Sequence, residues 1–355
     1  MDENPEKKPS YWRRLLAAVR GRDAAPPSGI PDAGHLAAMA REIQHLRGDL
    51  KEIRGLLAKE IKNNEARAKQ NATFLSCTHD ITALPPAKGL LRKKQLLVVQ
   101  LLRVTDKLFK RNGIRYWIDY GSLLGARRHG GFIPWDDDLD IGVFRSDCEK
   151  IGRLEEEFKR HHCKLWVRYE NGSVFLKISP LRYPGSVLDI FFYDTDAADA
   201  NDPKARDALG ARMKTAWEYR KQLVKTLAEK SKGKDFDFDA YMTAINQYRE
   251  TVFYENTPPP APDTAPTIIL ALDFAVSPNP RIFPREIILP LDTIPFEGHS
   301  IPAFNRIDDY LKRVYGDFMF FPSGINQHNI NPTTGIPDDI DDITESLRQA
   351  VDESP

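Results

Sequence analysis

The stretch Trp117 to Val143, WIDYGSLLGARRHGGFIPWDDDLDIGV, holds the side chains best able to do chemistry. Read as a strand from Asp138, the residues Asp-Leu-Asp-Ile-Gly-Val alternate with a period of two, so Asp138 and Asp140 project from one face while Leu139 and Ile141 pack beneath the other. Two carboxylates on one face repel. A divalent cation relieves that repulsion, and hard oxygen ligands with room for water and phosphate oxygens suit Mg²⁺ or Mn²⁺. Upstream, Gly121 permits close approach of the backbone, and Ser122 precedes a short helical piece expected over Leu123 to Arg128. A hydroxyl and N–H groups at that end of a helix favour an anion. The implied chemistry is metal-assisted handling of phosphate.

Three plainer readings compete. An acidic run is usually a solvated loop. A calcium loop fits Asp136, Asp138 and Asp140, but its sixth position is Ile141 rather than Gly and its twelfth is Asp147 rather than Glu. The D-x-D of nucleotide-sugar glycosyltransferases normally follows an α/β nucleotide-binding half, whereas the preceding residues here read as long helices. A third acid strengthens the metal reading. Asp189 stands inside the apolar run Val187 to Phe192, and an unpaired carboxylate is costly to bury there unless a metal or a solvent-facing sheet edge receives it.

Gly121-Ser122 followed by a D-h-D-h strand resembles the nucleotidyltransferase-fold signature, and YGSLLGARRHGGFIPWDDDLDIGV is similar to the LicD family, which includes the fukutin-related proteins. The match is dense over Tyr116 to Val143 and resumes at Val187 to Asp194 and Tyr310 to Pro322. The resemblance implies transfer of a phosphorylated alcohol, such as phosphocholine or ribitol phosphate, from a CDP-activated donor to a glycan hydroxyl, with release of CMP. In that scheme Asp138 and Asp140 hold Mg²⁺, and Asp189 either completes the metal site or takes the acceptor proton. Ser122 and the Gly121 backbone cradle donor phosphate, Arg128 faces the departing CMP phosphate, and His129 assists or braces the loop. Asp136 and Asp137 are expected behind the ligands, Asp137 pointing away. Two alternatives stay open: a nucleotidyltransferase that adds NMP to a small molecule or protein, and a non-catalytic coiled-coil scaffold.

The elements that must position these groups form an α/β (α+β) fold, a nucleotidyltransferase-like mixed sheet flanked by helices and preceded by an N-terminal helical or coiled-coil segment. A helix over Leu90 to Arg111, stopped by Asn112-Gly113, delivers the chain into a strand at Ile114 to Ile118. Ser146-Asp147 is read as the cap of a helix running to about Arg160. The strands Leu165–Tyr169 and Val174–Ser179 flank Asn171-Gly172, a hairpin signal. Helical stretches follow over 203–231 and 237–255. Ile268 to Phe274 reads equally as strand or buried helix, and a last helix spans Ile307 to Tyr315. His328 lies in a polar segment that could reach a sugar. Domain limits follow: 1–30, a disordered start; 31–80, helical; 88–335, catalytic; 336–355, an acidic tail.

A chain of 355 residues, 41% hydrophobic, can bury one sizeable core plus an appendage. Lys+Arg and Asp+Glu both number 51, which argues against general affinity for nucleic acid. Cys77, Cys148 and Cys163 show no metal spacing and suit free thiols in a reducing compartment. Lacking a long apolar run or a leader-like start, the protein is expected in the cytoplasm. Tyr11 to Arg20 forms a short basic amphipathic patch suited to peripheral contact with the inner membrane face. Residues 34–62 carry a heptad spacing, fading at Asn63-Asn64, that suits either a homo-oligomer or a single amphipathic helix packed on the catalytic domain.

Overall fold

Short apolar runs separated by turn residues pair, in the computed structural model, into one mixed sheet. The structure describes residues 33–170, 173–231, 237–271, 281–324 and 335–353. The patch Tyr11–Arg20, the Asn171-Gly172 turn and His328 lie outside them. The chain forms two units, Met1–Arg67 and Ala68–Pro355.

The described part of the first unit is helical. Helix α1, Ala33–Thr78, does not stop where the heptad fades but runs on to Thr78, because no glycine or proline interrupts it after Gly55. Its last turns, from Ala68, belong to the second unit: Ala72 is buried and Ser76 Oγ accepts from the Phe321 N–H at 2.9 Å.

In the second unit α2 (Gly89–Arg111) leads to β1 (Tyr116–Ile118), α3 (Tyr120–His129) and β2 (Leu139–Phe144). The expected helix at 146–160 is split into α4 (Cys148–Gly152) and α5 (Glu155–Arg160). Asp147 does not cap it, since its carboxylate accepts from Lys150 Nζ at 2.6 Å. A hairpin of β3 (Cys163–Glu170) and β4 (Ser173–Pro180) precedes β5 (Leu188–Asp196). Helices α6 (Pro203–Ser231) and α7 (Phe238–Tyr248) follow, α7 continuing as a π-helical turn to Phe253. The ambiguous segment near Ile268 is a strand, β6 (Thr267–Leu270), paired with β5 and with β7 (Ile282–Pro284). The chain then forms α8 (Arg285–Ile288), a hairpin of β8 (Asp292–Phe296) and β9 (His299–Ala303), and α9 (Ile307–Tyr315).

The main path of the sheet runs β1-β2-β5-β4-β3; β2 and β5 are parallel and the other pairs antiparallel. Trp117 is fully buried above Gly142, where an added Cβ would lie 2.2 Å from the indole nitrogen. Only glycine lets β2 pass beneath that ring.

The acidic stretch at the end is not a tail. It forms α10 (Ile340–Glu353), whose Ile340, Ile343, Leu347 and Val351 are buried in the main core. Its acids face basic residues of α2: Lys93 pairs with Asp341, Arg103 with Asp352 at 2.6 Å, and Lys107 Nζ donates to the Val351 carbonyl at 2.8 Å. Apolar residues at helical spacing, not the charge balance, decide that this segment folds.

Candidate active site

Parallel pairing of β2 with β5 sets Asp140 beside Asp189 in register. Residues opposite each other in adjacent strands share a face, so the sheet itself forces the two carboxylates together. Asp138, just before β2, joins them, and one oxygen from each of Asp138, Asp140 and Asp189 lies within 4.8 Å of the others. Burial pushes the Asp140 carboxyl well above the usual range, and the charges of Asp138, Asp189 and Asp136 push it further. Burial and then Asp138 and Asp137 act the same way on Asp136. An acid cluster that resists ionising on its own is a fitting seat for a cation. Its oxygen donors and spacing suit a hard divalent ion.

The cluster lines a cavity of about 1310 Å³. That exceeds the usual span of about 300–1,000 Å³ for a small-molecule site and leaves room for two reactants. Asp136 also lines it, which brings this residue further forward than expected. Asp137 is turned away and buried, its Oδ2 accepting from Lys94 Nζ of α2 at 2.6 Å.

Helix α3 begins at Tyr120, earlier than expected, and places Gly121 and Ser122 in its first turn. Its cap is the buried Asp119, which accepts from the Tyr120 N–H at 2.7 Å, from Tyr193 Oη at 2.6 Å and from Tyr310 Oη. Gly121 faces the cavity, where an added Cβ would meet Asp136 Oδ2 at 3.0 Å. Ser122 is buried and its hydroxyl accepts from the Asp140 N–H at 2.9 Å. That bond fixes the strand carrying Asp140.

Arg128 lines the cavity, with Nη2 donating to the Phe320 carbonyl at 3.2 Å. Burial lowers its pKa to about 10, so it stays a cation at neutral pH. His129 is not among the lining residues; it lies against Thr82 of the 3-10 turn Ile81–Ala83, and burial followed by the Arg128 charge lowers its proton affinity.

Three cations were not read from the sequence. Lys177 on β4 is paired in register with Asp189 and forms an ion pair with it at 2.9 Å. A lone lysine in the apolar run Val-Phe-Leu-Lys-Ile was the available signal. Arg220 of α6 is buried, donates to Ser173 Oγ at 3.3 Å and lines the cavity. Arg281, also in the lining, lies over the Tyr120 ring at 4.8 Å, and its buried Nη1 has no hydrogen-bond partner among the described residues. Nothing in the local pattern around either arginine distinguishes it. Trp135, Trp217, Phe175 and Phe191 supply flat apolar wall. One enclosure thus holds five carboxylates (Asp136, Asp138, Asp140, Asp189 and Asp317), three arginines and several aromatic faces.

The model of the family described as "LicD/FKTN/FKRP, nucleotidyltransferase domain" matches residues 113–229. A Rickettsia typhi protein of uncharacterised function is 44% identical over 80 residues, covering 21% of this chain and 26% of that protein. The human ribitol 5-phosphate transferase FKRP is 55% identical over 46 residues, 12% of this chain and 9% of its own. The lipopolysaccharide cholinephosphotransferase LicD of Haemophilus influenzae is 31% identical over 115 residues, 32% of this chain and 40% of that enzyme. The chain spans about a quarter of the length of the Rickettsia proteins it matches.

Proposed function

Since residues 113–229 belong to the LicD/FKTN/FKRP family of nucleotidyltransferase domains, we propose that this protein is a phosphotransferase that moves a phosphorylated alcohol from a CDP-activated donor to a hydroxyl of a glycan or lipopolysaccharide precursor. The observation that carries the reading is the meeting of Asp138, Asp140 and Asp189 within 4.8 Å in a cavity that also holds Arg128 and Arg281. Relatives named as transferring ribitol 5-phosphate or choline phosphate support the group transferred.

In this reading Asp138, Asp140 and Asp189 hold Mg²⁺ or Mn²⁺, which when bound neutralises charge on the donor's phosphates. Lys177 pairs with Asp189 at 2.9 Å and offsets part of the negative charge gathered at the ligands. Arg128 and Arg281 orient the diphosphate and take up charge on the leaving CMP, because guanidinium forks match phosphate oxygens. The acceptor oxygen forms the new bond to phosphorus, the bond to the CMP oxygen breaks with its electron pair, and the hydroxyl proton passes to a cavity carboxylate. Ser122 serves by holding the Asp140 backbone. The Trp217 and Phe175 faces suit the flat donor base.

The test is incubation with a panel of CDP-alcohols, Mg²⁺ and glycan acceptors while CMP and product are followed. CMP release coupled to acceptor modification is expected. Transfer of NMP from a nucleoside triphosphate, with every CDP-alcohol inert, would instead establish a nucleotidyltransferase.

A further inference from the structure

Along α1 the side chains of Met39, Ile43, Leu46, Leu50, Ile53 and Leu57 are each 43–57% exposed and recur at alternating steps of four and three. No side chain from 38 to 67 is buried. A helix with such a stripe and nothing on it is unstable in water, since isolated helices are marginal and most of their stability comes from packing the apolar face.

The register of the stripe assigns every other position. With Leu36, Ile43, Leu50 and Leu57 as a, and Met39, Leu46 and Ile53 as d, both Gly48 and Gly55 fall at f, the position furthest from a partner. An added Cβ at either glycine would meet nothing within 4 Å. The two residues that weaken the helix therefore sit where they leave the seam untouched. The flanks are charged by sign: Glu42 and Asp49 at g, Arg47 and Arg54 at e. In a parallel pair each g side chain faces the e side chain of the following heptad on the other helix. Glu42 then meets Arg47 of a second copy, and Asp49 meets Arg54, with the same pairs repeated by symmetry. Antiparallel packing would set acid against acid and arginine against arginine.

We infer that residues 36–57 are the seam of a parallel, in-register coiled coil whose partner is a second copy of this same chain. The flanks are complementary to themselves and to no other arrangement of identical helices. Parallel order gathers the N-terminal residues of both copies at one end, so any weak contact made there is made twice and strengthened by avidity. The inference stands on the helix alone and survives failure of the proposed activity.

The experiment uses the full chain. Light scattering at micromolar concentration is expected to give a mass above one chain. In a Cys77→Ser background, Met39→Cys should form a disulfide between copies under mild oxidant, because parallel register sets residue 39 against itself. Reversing Glu42 and Asp49 to Arg should weaken association about tenfold or more, the flanking pairs being individually small. Mixing that variant with one carrying Arg47→Glu and Arg54→Glu should restore it. Circular dichroism of each variant checks that the second unit remains folded. A monomeric full-length chain overturns the inference. So does cross-linking of Met39→Cys only when mixed with Leu50→Cys or Leu57→Cys, which would reveal antiparallel packing.

Discussion

At the scale of single residues the site is governed by charge compensation. Replacing Asp138, Asp140 or Asp189 by Asn removes one of several crowded negative charges, so the fold should persist while turnover drops about a hundredfold or more. A thermal melt alongside the CMP assay separates these effects, and near-normal turnover in a variant would exclude its residue. EDTA should inactivate the wild type, with Mg²⁺ or Mn²⁺ restoring it. Lys94→Met should behave oppositely. It strands Asp137 in a site where both partners are buried, and a cost of about 3–5 kcal/mol in urea unfolding is expected, partly recovered by also changing Asp137 to Asn. The D-h-D pattern made Asp138 and Asp140 legible because a strand's period is fixed. Lys177 and Arg281 were not, because their approach depends on sheet register and on a chain segment far from the motif.

At the scale of elements, the loop before the acids is held by a clasp. Glu297, in the turn between β8 and β9, receives both Nη atoms of Arg92 at 2.9 and 2.7 Å, accepts from the Phe132 N–H at 3.2 Å and donates its own N–H to the Gly130 carbonyl at 2.8 Å. Burial alone would raise the Glu297 pKa; the Arg92 and Phe132 hydrogen bonds outweigh it, and the net shift is downward. A depressed carboxylate stabilises the fold above its unfolded pKa and loses that contribution as pH falls through the folded value. The gap in stability between wild type and Glu297→Gln, measured by urea unfolding, should therefore be full at neutral pH and shrink below about pH 4.3, the ordinary glutamate value. An unchanged gap in acid would mean that the bond geometry, not the charge, matters. Helix α10 gives the second test at this scale. Leu347 is fully buried, so Leu347→Ala should cost about 2–5 kcal/mol, and removal of residues 336–355 should leave the α2 face uncovered and the protein insoluble. The heavy acid content of that stretch obscured its apolar repeat, whereas α2 and α9 carried plain stripes with stop signals and were legible almost to the residue.

At the scale of the whole molecule the boundary between units lies inside a helix, within the mostly polar stretch Lys62 to Asn71, which no proline or glycine breaks. Residues 68–355 should therefore retain CDP-alcohol turnover with small acceptors. Removal of residues 1–80 should lose it, because Lys69, Ala72 and Thr73 line the cavity; equal rates for the two truncations would show that this wall is dispensable. The cavity wall also has an optical consequence. Trp135 and Trp217 line the cavity, whereas Trp117 is sealed in the core against Phe144 and Tyr193. These three tryptophans thus fall into two classes, Trp135 and Trp217 open to quenching by whatever enters and Trp117 shielded from it. Emission lost on titrating a nucleotide, and no longer lost after Trp217→Phe, would locate the flat ring of the ligand without any label.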